Sequence, residues 1–209
     1  MNPLIRLTWL GHSCFVAEYD GYSVVLDPFS DGTVPGLSPI RITADAVLCS
    51  HQHRDHNGTE TIAVRSSEKE CPFTIEKIET FHDAIQGKQR GKNTIHILSA
   101  GGLRIAHLGD LGCTLPDEQL SRLEHLDALL LPVGGFYTID AEQANALVEI
   151  LSPSVAIPMH YQTATYGLEA IGTLDLFLKD RPDAVFYSGH SIEISRGMKK
   201  QTAVLTYQP

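Results

Sequence analysis

Apolar and polar residues alternate in two similar stretches of the chain, each of which predicts a β-hairpin. The predicted strands and turns cover residues 5–15, 18–21 and 22–27 in the first stretch, and 94–98, 99–102 and 103–108 in the second. An aspartate, Asp27 or Asp110, comes just after the second strand of each hairpin. A further strand beginning Asp-Ala follows in each stretch, over 45–49 and 127–131. The matched order predicts one domain over 1–209, built from two related halves of about 1–93 and 94–209.

Helical periodicity is confined mainly to the second half of the chain. Apolar residues with helical spacing predict helices over 116–126, 141–151 and 168–178. Asp140 and Gln143 have the spacing of a capping box at the start of the second of these helices. Strands that alternate with helices, with hairpins besides, predict an α/β fold of two mixed β-sheets with helices outside.

Composition and net charge limit the kinds of molecule that the protein is expected to bind. The 209 residues suit one compact domain, and 43% of them are hydrophobic. The net charge of −9 argues against nucleic acid or an anionic membrane as the main partner, since both need a cationic surface. No stretch approaches the roughly 18 apolar residues of a spanning helix, and the first residues do not resemble a signal peptide. We therefore expect a cytoplasmic protein with a small-molecule substrate, and a homo-oligomer is compatible with the sequence.

The segment His51-Gln52-His53-Arg54-Asp55-His56 indicates the chemistry of the protein. Three imidazoles and a carboxylate so close together would repel and desolvate one another unless a cation lay among them. Neutral imidazole and carboxylate are preferred ligands of divalent transition metals. The alternative interpretation is a histidine-rich surface loop.

Six residues do not complete two metal sites, because a catalytic ion takes about three protein ligands and keeps one position open. Further ligands are therefore expected downstream, each at the end of a predicted strand. His82, Asp110 and His160 meet that description.

The sequence resembles the metallo-β-lactamase superfamily along nearly its whole length. It is most similar to a branch of small cytoplasmic hydrolases related to the ascorbate-phosphate lactonase type. Besides HxHxDH and the later His, Asp and His, the resemblance depends on segments 9–13 (WLGHS), 27–29 (DPF), 90–94 (RGKNT), 107–110 (HLGD) and 131–138 (LPVGGFYT). The resemblance implies a four-layer αβ/βα sandwich with two metal ions at one edge between the sheets. It also implies that His51, His53 and His82 hold the first ion, that Asp55, His56 and His160 hold the second, and that Asp110 bridges them.

The resemblance implies a metal-dependent hydrolase in which two ions activate a water molecule. The scissile bond would be an ester, lactone, phosphodiester or amide bond of a small, anionic substrate. Zinc is the first expectation for both ions, with manganese or iron also compatible. Asp55 is a catalytic candidate as well as a ligand, because it is placed to receive or relay a proton. Two rival hypotheses are a non-catalytic metal-binding or regulatory module and a di-iron redox protein, although the latter type carries glutamate where this chain has His53.

Other polar residues near the predicted ligands have two interpretations each. His12 is expected to line the pocket or to be structural, and Asp27 to orient a metal ligand or to cap a turn. Tyr137 and Tyr161 are candidates to donate a hydrogen bond to a developing oxyanion, or are buried structural residues. Arg90, with Lys88 or Lys92, is expected to bind an anionic group of the substrate or to belong to a solvated loop.

Overall fold

The computed structural model describes residues 3–66 and 69–209, which form two β-sheets packed face to face. The strands are β1 (Leu4–Gly11), β2 (Cys14–Tyr19), β3 (Tyr22–Leu26), β4 (Ile42–Ala44), β5 (Ala46–Leu48), β6 (Ile62–Val64), β7 (Thr74–Phe81), β8 (Lys92–Ala100), β9 (Leu103–His107), β10 (Ala128–Pro132), β11 (Val155–Met159), β12 (Ala184–Phe186), β13 (Ser191–Ser195) and β14 (Gln201–Val204). The helices are α1 (Asp117–Arg122), α2 (Ala141–Leu151) and α3 (Leu174–Leu178), with a single 3-10 turn at Thr59–Thr61.

Both sheets are mixed, as the sequence predicts. The first has the strand order β13-β1-β2-β3-β5, and the second has the order β12-β14-β11-β10-β9-β8-β7. Strands β4 and β6 form a small separate sheet. The boundary near residue 93 lies inside β8, and β13 joins the first sheet from the far end of the chain. Each half of the sequence therefore contributes strands to the sheet of the other half.

One large apolar core lies between the sheets, and it includes Phe15 and Leu26 of the first sheet and Ile97 and Leu130 of the second. Helix α2 packs on this core through a buried face of Ala144, Leu147, Val148 and Leu151. A smaller core covers the opposite face of the first sheet, where loop residues such as Phe29 and Val34 pack on Cys14, Val16 and Val25. Among the described residues, this outer layer consists of loops and the β4–β6 sheet rather than α-helices.

Three predicted elements differ from the observed ones. Residues 5–15 do not form one strand, because Gly11 and His12 adopt left-handed backbone conformations (φ 104° and 52°) and turn β1 back into β2. The helix predicted over 116–126 is shorter at both ends, as α1 covers only Asp117–Arg122. The helix predicted over 168–178 begins only at Leu174. The segment before it is bound to another loop, where the Gly172 N–H donates to the Gly134 carbonyl at 2.6 Å.

The topology brings many strand ends to one edge of the molecule. Strands β1, β3 and β5 of the first sheet run in the same direction, as do β7, β9, β10 and β11 of the second. Polar residues of the HxHxDH segment and its downstream partners follow the carboxyl ends of these strands, where α/β proteins commonly place their sites. None of the helices among the described residues is long and apolar enough to cross a membrane.

Candidate metal centre

The seven predicted metal ligands converge in the structure, although they come from four separate segments. The described residues contain three groups of candidate ligand atoms, in each of which all the atoms lie within 4.8 Å of one another, and one of them, Asp27 with His51 and His56, overlaps the other two. We call His51, His53 and His82 the outer group. The inner group contains Asp55, His56 and His160, and His12 joins it.

Asp110 lies between the two groups. Its Oδ2 atom is 3.2 Å from His82 Nε2 and 3.9 Å from His51 Nε2 in the outer group. The same carboxylate is 3.4 Å from His160 Nε2 and, through Oδ1, 3.1 Å from His56 Nε2 in the inner group. The Asp110 carboxylate thus faces ligand atoms of both groups.

Several buried polar atoms of the cluster have no hydrogen-bond partner, and this bears on whether the residues fit a metal ion. Within the described part of the chain these orphaned atoms include His51 Nε2, His56 Nε2, Asp110 Oδ1 and both ring nitrogens of His160. Leaving a buried polar group unsatisfied costs about 1–3 kcal/mol, so several such atoms pointing at one another would destabilise the fold. Imidazole and carboxylate atoms in this arrangement fit divalent metal ions, which would satisfy them together.

The electrostatics of the cluster favour a positive charge at its centre. Burial, with a contribution from His56, lowers the pKa of His51 to about 3, so its imidazole is neutral and able to bind metal. Although burial opposes ionisation, the imidazoles of His160 and His56 hold the pKa of Asp110 well below its usual range. Burial would also lower the pKa of His56, but the carboxylates of Asp110 and Asp55 raise it well above the usual value. The carboxylates of Asp110 and Asp55 therefore stabilise a positive charge beside His56.

Asp27 and Ser50 contact the Nδ1 atoms of two candidate ligands, His56 and His51. Asp27 accepts hydrogen bonds from the Ser50 N–H and hydroxyl, and its Oδ2 is 2.8 Å from His56 Nδ1. Ser50 Oγ lies 2.9 Å from His51 Nδ1. Burial raises the pKa of Asp27, but His107 and His56 outweigh it and lower the value to about 2. Asp27 is therefore an ionised acceptor that orients His56. Ser50, the residue just before HxHxDH, orients His51, and the sequence pattern does not predict this role.

A cavity of about 370 Å³ opens beside the cluster. It exposes His53, Asp55, His82 and Asp110, and its other lining residues are Thr33, Arg54, Gln89, Arg90, Tyr137 and Leu168. The Arg90 guanidinium is 5.5 Å from the ring centroid of Tyr137 and 6.0 Å from that of Phe136. The cavity thus combines metal-ligand atoms with two cationic side chains.

Arg90 lines the main cavity, whereas Lys88 and Lys92 do not. Lys88 is exposed and is not among the residues that line the cavity. Lys92 lines a neighbouring cavity of about 320 Å³, together with Arg90. The second cation of the main cavity is Arg54, which the sequence does not mark because it stands at a variable position within HxHxDH.

Asp83, the neighbour of His82, organises the loop that carries Arg90. Its carboxylate accepts hydrogen bonds from the backbone N–H groups of Ile85, Gly87, Gln89 and Arg90 at 2.7–3.0 Å. Desolvation raises the pKa of Asp83, but these four donors outweigh it and lower the value to about 2. The Asp83 carboxylate is thus hydrogen-bonded to the backbone of its own loop.

The two candidate tyrosines have different positions. The Tyr137 carbonyl is 3.1 Å from His82 Nδ1, and its side chain lines the cavity. Tyr161 instead packs against Trp9, with ring centroids 5.8 Å apart, and lines a separate cavity with Tyr166 and Tyr207. The prediction that places Tyr161 at the site is therefore not supported, because the residue after His160 points into the aromatic cluster around Trp9.

Comparison with known proteins agrees with this geometry. Residues 6–160 match the family model described as a beta-lactamase superfamily domain. A UPF0173 metal-dependent hydrolase of Carboxydothermus hydrogenoformans is 31% identical over 194 residues, covering 76% of this chain and 85% of that protein. A second UPF0173 metal-dependent hydrolase, from Thermoplasma acidophilum, is 30% identical over 190 residues, covering 76% and 84% of the two chains.

A solved structure extends the similarity to nearly every residue. The crystal structure of a candidate Zn-dependent hydrolase of the metallo-β-lactamase superfamily from Thermotoga maritima has a TM-score of 0.75 and 32% identity. The match covers 98% of this chain and 100% of that one. The chain therefore belongs to the metallo-β-lactamase superfamily and is a metal-dependent hydrolase.

Proposed function

We propose that this hydrolase holds two divalent metal ions, with zinc as the first expectation, and cleaves an ester, lactone, phosphodiester or amide bond of a small anionic substrate. The observation that carries the proposal is the shared Asp110 between two groups of ligand atoms, beside a cavity that contains Arg54 and Arg90. When bound, a pair of such ions lowers the pKa of a water molecule to about 7 and polarises the bond under attack.

The protein's own residues divide the remaining tasks. His51, His53 and His82 would hold one ion, Asp55, His56 and His160 the other, and Asp110 would contact both. Asp55 is the inner-group residue that also lines the cavity, so its carboxylate is placed to accept a proton from a reacting group there. Asp27 and Ser50 keep the imidazoles of His56 and His51 directed at the centre.

The two arginines support an anionic substrate. Neither Arg54 nor Arg90 takes part in the ion pairs found among the described residues. Each guanidinium presents donors that suit a carboxylate or phosphate, and Arg90 is held against aromatic rings rather than neutralised by an acid. In a chain of net charge −9, unpaired cations beside the metal ligands favour recognition of an anion.

Metal analysis and a paired substrate screen test the proposal. Elemental analysis after reconstitution is expected to give two ions per chain, and hydrolysis is expected within a panel of lactones, esters, phosphodiesters and amides. Only trace metal after reconstitution, or no turnover anywhere in the panel, would contradict it.

Arg90→Gln tests the recognition of the anion. A hydrogen bond to a charged group contributes about 1.5–3 kcal/mol, so KM for an anionic substrate should rise roughly 10- to 100-fold, with little change for its neutral analogue. Lys88→Gln is the matched control, because it removes a nearby charge that lies outside the cavity. Equal losses on anionic and neutral substrates would show that Arg90 only stabilises its loop.

A further inference from the structure

His12 is held at the tip of the β1–β2 hairpin, directly beside the inner group. Its backbone has φ 52° and follows Gly11, whose φ of 104° requires glycine. The His12 carbonyl accepts a hydrogen bond from Trp9 Nε1 at 2.9 Å. The left-handed turn and this buried bond fix the backbone that carries the imidazole.

The imidazole of His12 is buried and lacks hydrogen bonds. Its side chain has no exposed surface, and both ring nitrogens are without a hydrogen-bond partner among the described residues. The ring centroid lies 4.3 Å from that of His160 and 5.2 Å from that of His56. An unsatisfied polar ring is thus directed at two inner-group imidazoles, and a purely structural histidine would be expected to have a protein partner.

The separation between His12 and Asp55 matches that of two ligands on one ion. His12 Nε2 is 3.4 Å from Asp55 Oδ2, which is the same as the distance from His160 Nε2 to Asp110 Oδ2. Two ligand atoms at about 2.0–2.2 Å from one ion lie roughly 3.0–3.6 Å apart, depending on the coordination geometry. A hydrogen bond between imidazole and carboxylate would be shorter, at about 2.7–3.2 Å.

We propose that His12 is a further protein ligand of the ion in the inner group. The inference depends on the second ion of the proposed function. The inner ion would then have four ligands of its own, His12, Asp55, His56 and His160, in addition to the shared Asp110. That number exceeds the tetrahedral set of structural zinc and favours a higher coordination number. The outer ion would keep three histidines and Asp110, beside the cavity.

Cobalt substitution and NMR test the assignment directly. In protein loaded with Co²⁺ alone, each coordinated imidazole contributes one strongly shifted ring N–H resonance. His51, His53, His56, His82 and His160 account for five of them, and His12 would add a sixth. The comparison variant is His12→Gln, whose amide can still donate a hydrogen bond to Asp55 but which lacks the imidazole.

Loss of one shifted resonance is expected in His12→Gln. Binding of one equivalent of Co²⁺ should weaken about 100-fold or more, which is the upper end of the effect of losing an outer-shell partner, while the other equivalent changes little. The control is His96→Gln, because His96 is also buried and its Nδ1 also lacks a partner, but it belongs to neither group. This variant should keep all six resonances.

Two results overturn the inference in distinguishable ways. Five shifted resonances with two Co²⁺ bound, unchanged in His12→Gln, would show that His12 acts only through Asp55 and would leave the two-ion centre intact. Uptake of a single Co²⁺ by the unaltered protein would overturn the two-ion centre and the inference together. If His12→Gln does not fold, the count of six or five in the unaltered protein still decides.

Discussion

The outer and inner groups of the candidate metal centre differ in their access to solvent. In the outer group His53 is exposed, and His53 and His82 line the cavity. In the inner group His56 and His160 have no exposed surface, and Asp55 alone reaches the cavity. Most of the inner group is therefore buried away from the cavity, whereas the outer group faces the space where a substrate can bind.

The groups also differ in what orients their imidazoles. The carboxylate of Asp27 contacts His56 Nδ1, whereas His51 and His82 face a serine hydroxyl and a backbone carbonyl. A carboxylate partner raises the basicity of a ligating histidine more than a neutral oxygen does. The inner group differs from the outer group both in its own carboxylate, Asp55, and in the carboxylate that orients His56, and we therefore expect the inner ion to be held more tightly.

The largest effect is expected from Asp110→Ala, which removes the residue common to both groups. Both ions should bind more weakly by more than the roughly 10- to 100-fold that follows loss of an outer-shell partner. Elemental analysis and titration with Zn²⁺ measure this loss. If only one ion were released and the other kept its affinity, Asp110 would belong to a single group.

A smaller and more selective effect is expected from Asp27→Asn. The substitution keeps the size of the side chain but removes the negative charge that faces His56, so the affinity of the inner ion should fall about 10- to 100-fold. The outer ion should be affected less, because Asp27 contacts His56 directly but is hydrogen-bonded to His51 through Ser50. Zn²⁺ titration with a competing chelator measures the two affinities, and equal weakening of both would contradict the distinction between the groups.

The smallest effect is expected from Asp83→Asn, at the cavity side of the outer group. An amide has one acceptor oxygen, so part of the four-donor arrangement that holds the Arg90 loop is lost. We expect KM for an anionic substrate to rise roughly 3- to 10-fold, since part of the charged hydrogen bonding by Arg90 is lost, with both ions retained. Steady-state kinetics with metal analysis checks this, with Asp117→Asn on the exposed start of α1 as the control. Loss of the outer ion instead would place Asp83 with the ligands.

The candidate ligand residues could be selected from the sequence because their signal is local. HxHxDH follows directly after a short buried-type strand, and His82, Asp110 and His160 each follow a strand that the apolar pattern indicates. Helix α2 was equally clear, since Asp140 and Gln143 form both hydrogen bonds of the capping box. Short-range spacing and capping contain enough information for features of this kind.

Features that depend on the direction of a loop could not be predicted in the same way. Lys88 and Arg90 are two residues apart, yet only Arg90 lines the main cavity, because Asp83 winds the loop around its carboxylate. Tyr161 adjoins His160 but turns away from the cluster to pack on Trp9. In the first case the hydrogen bonds of one side chain to its own loop set the directions, and in the second a contact far away in the sequence does.

The sequence by itself determined the superfamily, the set of candidate ligands and the two-sheet architecture, because each of these depends on spacing within short segments. Only the tertiary structure decided that His12 stands beside Asp55, since a left-handed turn at residues 11 and 12 replaces what alternation predicts as continuous strand. It also decided that Arg54 shares the cavity with Arg90. The physical reason is the same for both: backbone turns and burial set side-chain directions, and these depend on packing between segments that the linear pattern keeps apart.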